Sequence, residues 1–166
     1  GFFTANYTPA NAVMYFIWRS VGVPIFTAAD TLIVHQDQFL GEPLMGATSS
    51  LIAFIAGVER VNLERYVFEY QFGSWNEVAN ANAVFITDAY VNFGFFGVII
   101  FSLLVGQIFR WFCLSTDVAF KAQWINFAFM IFSASLIGAL LSNWWIVMML
   151  FGLFVRVDKS IKNEIK

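Results

Sequence analysis

Between Phe93 and Cys113 the chain is predominantly apolar and carries one charge, Arg110, close to the end of the run. About twenty such residues in a helix cross a hydrocarbon core of roughly 30 Å, so this stretch restricts the chain to folds that place a helix in a membrane. Its upstream flank is polar. Asn76, Glu77, Asn80, Asn82 and Asp88 precede it, and residues 80–97 read NANAVFITDAYVNFGFFG. The helix is therefore entered through a polar mouth. Asp88 and Asn92 are four residues apart and share a face if the helix has begun by then. In one reading Asp88 complements a helix N-terminus and Asn92 bonds a neighbour; in the other they belong to a site at the water–lipid boundary.

Composition extends the membrane reading to the rest of the chain. It is 60% hydrophobic and 12% charged, against about 25% charged in ordinary soluble domains. The run Trp124–Val155 would be about 48 Å long as one helix, more than a bilayer needs. Ser142-Asn143 interrupts it, which predicts a hairpin rising through 124–141 and returning through 144–157. Ser102 with Gly106, and Ser135 with Gly138, are small-residue pairs suited to close helix contact. The expected fold is all-α: a polytopic helical membrane protein fragment with transmembrane helices at 93–113, 124–141 and 144–157. Residues 1–90 would form short interfacial or re-entrant helices. The single cysteine, Cys113, excludes an intrachain disulfide and a cysteine-based metal site. Gly1 stands where Met would be and no cleavable-signal pattern follows, so the chain reads as the tail of a longer protein.

Charge sets the expected orientation. Residues 1–90 hold three arginines against eight carboxylates, net −5, and residues 91–166 hold six cations against three carboxylates, net +3. Short loops rich in Lys and Arg stay in the cytoplasm, which places Arg110–Lys121 and the tail from Arg156 inside and residues 1–90 outside.

Within that outer region a short helix begins at Pro9 and ends at Trp18-Arg19, too short to span, with Gly22 and Pro24 as breakers. The mixed segment Ile25–Glu42 carries the only histidine, His35, beside Asp37. Such a histidine can act as a general base, or it is a surface polar residue. Thr48–Gly57 is apolar but too short to cross alone, hence interfacial, re-entrant or buried. Arg60 and Arg65 follow Glu59 and Glu64 among Tyr66, Phe68 and Tyr70. Arginine's planar fork suits phosphate and aromatic rings suit sugars, while pairing with nearby glutamates is the alternative.

The order Arg19, Pro24, the Thr48–Gly57 run, Asn80-Ala81-Asn82 and above all Asp88-Ala-Tyr90-Val-Asn92-Phe-Gly94-x-x-Gly97-Val98 resembles the C-terminal part of Wzy-type polymerases of O-antigen and capsule repeat units. The resemblance covers roughly Arg19 to Val155. It implies a membrane glycosyltransferase of the bacterial inner membrane that moves a growing glycan from undecaprenyl diphosphate to the next lipid-linked repeat unit. No cofactor, essential metal or nucleic acid is implied, and the expected partners are membrane lipid, undecaprenyl-diphosphate-linked glycans, a flippase and a chain-length regulator. Residues 1–90 would then be periplasmic. Glycosyl transfer needs the departing diphosphate stabilised and a hydroxyl proton removed. Arg19, Arg60 and Arg65 are the residues for the first task, and Arg19 also counts among the catalytic set. Asp88, with Glu77 and His35 behind it, is the residue for the second; His35 matches no motif of the family. Asn80, Asn82, Tyr90 and Asn92 would bind substrate. Two other classes stay open: a flippase or transporter fragment, which should carry ionisable groups mid-helix, and a non-enzymatic assembly subunit, which has no use for arginines clustered on the side of Asp88.

Overall fold

The computed structural model describes residues 9–74, 80–142 and 145–154. The regular elements among them are helical: α1 (Pro9–Ile17), a π-helical turn (Trp18–Gly22), α2 (Val23–Phe39), α3 (Ser50–Ala56), α4 (Leu63–Phe72), α5 (Phe85–Leu114), α6 (Val118–Ser133), α7 (Leu136–Ser142) and α8 (Trp145–Gly152). The fold is all-α, and its helices depart from the sequence expectation in three places.

The first is at the start. The sequence predicts a break at Gly22 and Pro24, yet α1, the π-turn and α2 continue as one apolar helix over Asn11–Phe39. Proline breaks a regular helix because it has no N–H and its ring crowds the carbonyl one turn back. Here the preceding turn is wider: the Val23 N–H donates to the Trp18 carbonyl five residues back, and Pro24 falls in the opening turn of α2. Most of the segment Ile25–Glu42 is therefore helix, and a helix long enough to cross a membrane lies inside the region expected to sit on one side.

The second departure is in α5, which begins at Phe85 rather than Phe93 and is bent at Gly94 (φ 62°, ψ −153°). That backbone conformation is open to glycine alone. A Cβ on Gly97 would fall 2.4 Å from the Ala89 carbonyl oxygen, so the two arms close on each other too tightly for a side chain there. Both glycines thus serve the bend. The second arm, ending at Leu114, is about 30 Å long and is the apolar run seen in the sequence.

The third departure follows Asp117, whose carboxylate accepts the Phe120 N–H at 2.7 Å and caps α6. The arm expected over 124–141 is broken at Ala134-Ser135, where Ser135 Oγ accepts the Gly138 N–H at 3.0 Å as α7 starts. Ser135 and Gly138 thus form a cap, not a helix contact. A Cβ at Gly106 would meet nothing within 4 Å, so its pairing with Ser102 packs no helix among the described residues. Among the described residues α7 and α8 are too short to cross a bilayer, and Asn143 of the expected turn and residues 155–157 of the expected returning arm lie outside them. Among the described residues two helices are long and apolar enough to span, Asn11–Phe39 and Phe85–Leu114, where the sequence suggests about three.

Two packed clusters hold the helices together. Phe112, Phe120, Phe127 and Trp145 interlock α5, α6 and α8, with ring centroids 5.1 Å apart for Phe112–Phe120 and 5.2 Å for Phe127–Trp145. Val34 of α2, Leu63 and Val67 of α4, and Val91 of α5 form the second. Outside these clusters the long helices present Phe16, Ile25, Phe26, Phe95, Phe96, Ile99 and Leu103 to the surface. Only 11% and 28% of the most apolar windows of the two long helices are buried, the opposite of a core helix in a soluble fold. A soluble monomer rarely leaves such continuous apolar surface open, whereas lipid or further apolar helices match it.

Candidate functional site

The bend at Gly94 ends the first arm of α5 and leaves its last carbonyls without helical partners. Two of them are satisfied from a distant strap: the Leu44 and Met45 N–H groups donate to the Val91 and Asn92 carbonyls, each at 2.9 Å. The strap delivers Thr48 to Asp88. Thr48 Oγ1 donates to Asp88 Oδ1 at 2.8 Å, and the Asn92 amide lies 3.1 Å from the same oxygen, 2.8 Å from the Asp88 carbonyl and 2.7 Å from Thr48 Oγ1. Asp88 and Asn92 do share a face, as their spacing predicts. Among the described residues no sealed side-chain nitrogen or oxygen lacks a partner. Since among the described residues only Oδ1 of Asp88 is engaged, Oδ2 is the oxygen left to the adjoining cavity.

That cavity has a volume of about 320 Å³ and is walled by Thr31 of α2, the strap from Thr48 to Leu51, residues 60–64, residues 82–88 and the face of α7. Backbone bonds join these walls: the Val61 N–H donates to the Ala47 carbonyl at 2.9 Å, and the Ala81 N–H to the Glu64 carbonyl at 3.0 Å. Among the described residues three charged side chains line it, Arg60, Glu64 and Asp88, beside neutral polar groups that include Thr48, Ser49, Asn62 and Asn82. Glu64 remains open to solvent, yet the protein packed around its carboxyl raises its pKa above the ordinary 4.5; the charge of Asp88 adds to this and Arg60 opposes it. Arg60 makes no ion pair among the described residues.

Of the residues singled out from sequence, Asp88, Arg60 and Asn82 meet at this cavity. Asn92 is buried behind Asp88, as a support and not a wall. Asn80 accepts from Asn62 at 3.5 Å, next to the cavity residue Asn62. Tyr90 packs on the Val34 cluster and edge-on to Phe95 at 5.4 Å. Arg65 is ion-paired with Glu69 at 2.7 Å and lies over the Phe68 ring, the pairing alternative raised by the sequence. Arg19 is exposed in the π-turn, about 18 Å along the helix axis from Thr31 at 1.5 Å per residue, so it does not share a ligand with Arg60. His35 is buried, with Nε2 2.9 Å from the Glu42 carbonyl, and ties the end of α2 to the strap. Glu77 lies outside the described residues. Sequence reasoning missed Thr48, Glu64 and Asn62 as site residues. Asn62 carried a local signal, since it caps α4 by accepting the Arg65 N–H at 3.2 Å.

Comparison with protein-family models, curated proteins and solved structures finds no match to this chain.

Proposed function

We propose that this chain is the C-terminal part of a Wzy-type membrane glycosyltransferase, which polymerises undecaprenyl-diphosphate-linked repeat units of O-antigen, capsule or exopolysaccharide at the bacterial inner membrane. The observation that carries the reading is the convergence of Arg60 and Asp88 on one polar cavity beside the foot of an apolar helix. In the reaction the acceptor hydroxyl oxygen bonds to the anomeric carbon, and that carbon's bond to the diphosphate oxygen breaks. Asp88 Oδ2 receives the hydroxyl proton, while the Arg60 fork takes up the charge of the departing diphosphate. Asn62, Asn82 and the neighbouring hydroxyls hold the sugar by hydrogen bonds, and exposed Phe95 and Phe96 offer a path for the polyprenyl chain.

In this reading α1–α2 leaves the cytoplasm, residues 40–90 are periplasmic, and the second arm of α5 returns to the Arg110–Lys121 loop and a cytoplasmic tail. The test is a set of conservative replacements in cells that depend on the full-length protein. Lysine cannot reproduce a two-pronged contact to diphosphate. Arg60→Lys should therefore leave single repeat units at the cell surface with normal protein levels, whereas Arg19→Lys and Arg65→Lys should keep long chains. Long chains from Arg60→Lys would remove the diphosphate role.

A further inference from the structure

The cavity's own charge is a poor match to a diphosphate as it stands. One cation, Arg60, faces two carboxylates, Glu64 and Asp88. With all three ionised the wall is net negative, and an anion drawn to Arg60 meets repulsion from both carboxylates. These two are held differently. The Asp88 side chain is buried, and its Oδ1 is engaged by Thr48 and Asn92. The Glu64 side chain accepts no hydrogen bond among the described residues and is open to solvent, from which a proton can arrive. Among the described residues the counter-charge acting on it is Arg60, the group an anion would engage.

Resting on the function proposed above, we propose that the cavity takes a phosphate-bearing headgroup together with one proton, and that Glu64 is the residue that receives it. Engagement of Arg60 by the anion strips Glu64 of its counter-charge and adds a negative neighbour, so a solvent proton joins its carboxylate and departs when the anion departs. Asp88 stays free to accept the proton of the hydroxyl. Among the described residues no titratable group besides Arg60 and Asp88 faces Glu64 across the cavity: α2 contributes Thr31, α7 and its cap contribute Ile137, Gly138, Leu141 and Ser135, and on α4 itself Arg65 and Glu69 are paired with each other. Even without a ligand, burial and the Asp88 charge already raise the Glu64 pKa against the pull of Arg60.

The test is binding of inorganic pyrophosphate to the purified full-length protein, as wild type, Glu64→Gln and Arg60→Ala, between about pH 5 and about pH 9. Pyrophosphate itself titrates, so the quantity read is the ratio of Glu64→Gln to wild-type affinity at each pH, in which the ligand's ionisation cancels. The two should bind alike at the acid end, and Glu64→Gln should bind about three- to tenfold more tightly at the alkaline end. A flat ratio, with Arg60→Ala still abolishing binding, overturns the proton coupling and leaves the anion site standing. Failure of the wild type to bind pyrophosphate, or binding indifferent to Arg60→Ala, overturns the coupling and the diphosphate role of Arg60 together.

Discussion

Asp88 is held from two directions, by Asn92 one turn further along its own helix and by Thr48 from the strap. A buried acceptor that loses a donor costs about 1–3 kcal/mol. Thr48→Val should therefore lower the unfolding free energy by about that amount, while Thr48→Ser, which keeps the hydroxyl, should stay near wild type; equal stability for the two would mean the bond contributes nothing. Glu64 gives a prediction with a pH sign. Its pKa is raised in the folded protein, so between the ordinary value of 4.5 and the raised value the folded state holds more of the proton, and stability falls as pH rises through that window. Glu64→Gln should be the more thermostable protein at neutral pH, with the gain vanishing below about pH 4; a gain that persists in acid would contradict a raised pKa for this carboxyl. The Asp88–Asn92 pair was legible in the sequence because helical spacing alone sets it. Thr48 and Glu64 were not, since they reach Asp88 through loops whose course no local pattern specifies.

At the scale of elements, the bend in α5 comes just after the carbonyls of Val91 and Asn92 that the strap carrying Thr48 engages. Alanine at Gly94 would have to adopt a conformation reserved for glycine, at about 1–3 kcal/mol, and at Gly97 its methyl would press on the Ala89 carbonyl. Each single substitution should lower the thermal midpoint of the detergent-purified protein, and an unchanged midpoint for Gly94→Ala would mean that the helix runs straight. The apolar second arm was plain in the sequence from its length. The bend was not, because glycine also occurs in straight membrane helices. The continuity of α1 and α2 was hidden for the converse reason: Pro24 ordinarily stops a helix, and only the wider turn before it, with Val23 bonded to Trp18, lets the helix pass. The break before α7 was likewise obscured, since Ser135 and Gly138 suit a packing motif as well as a cap.

For the whole molecule, the proposed topology rests on the two long helices and the −5 against +3 charge split. A cysteine at Ser74 should react with a membrane-impermeant thiol reagent in intact cells, whereas cysteines at Asn11 and Lys121 should react only after permeabilisation. The native Cys113 is exposed in the structure and should behave like Lys121→Cys, which makes it an internal control. Labelling at Asn11 together with Ser74 would mean that α1–α2 does not cross. The central claim, that this cavity transfers glycans between lipid carriers with Asp88 as the base, is tested most directly by incubating purified full-length protein with lipid-linked repeat units from its own cells. Asparagine keeps the shape and the bonds of Asp88 but accepts no proton. The account expects wild type to produce a ladder of lengthened glycans and Asp88→Asn, equally folded, to leave single units; a full ladder from Asp88→Asn, or none from wild type, would contradict it.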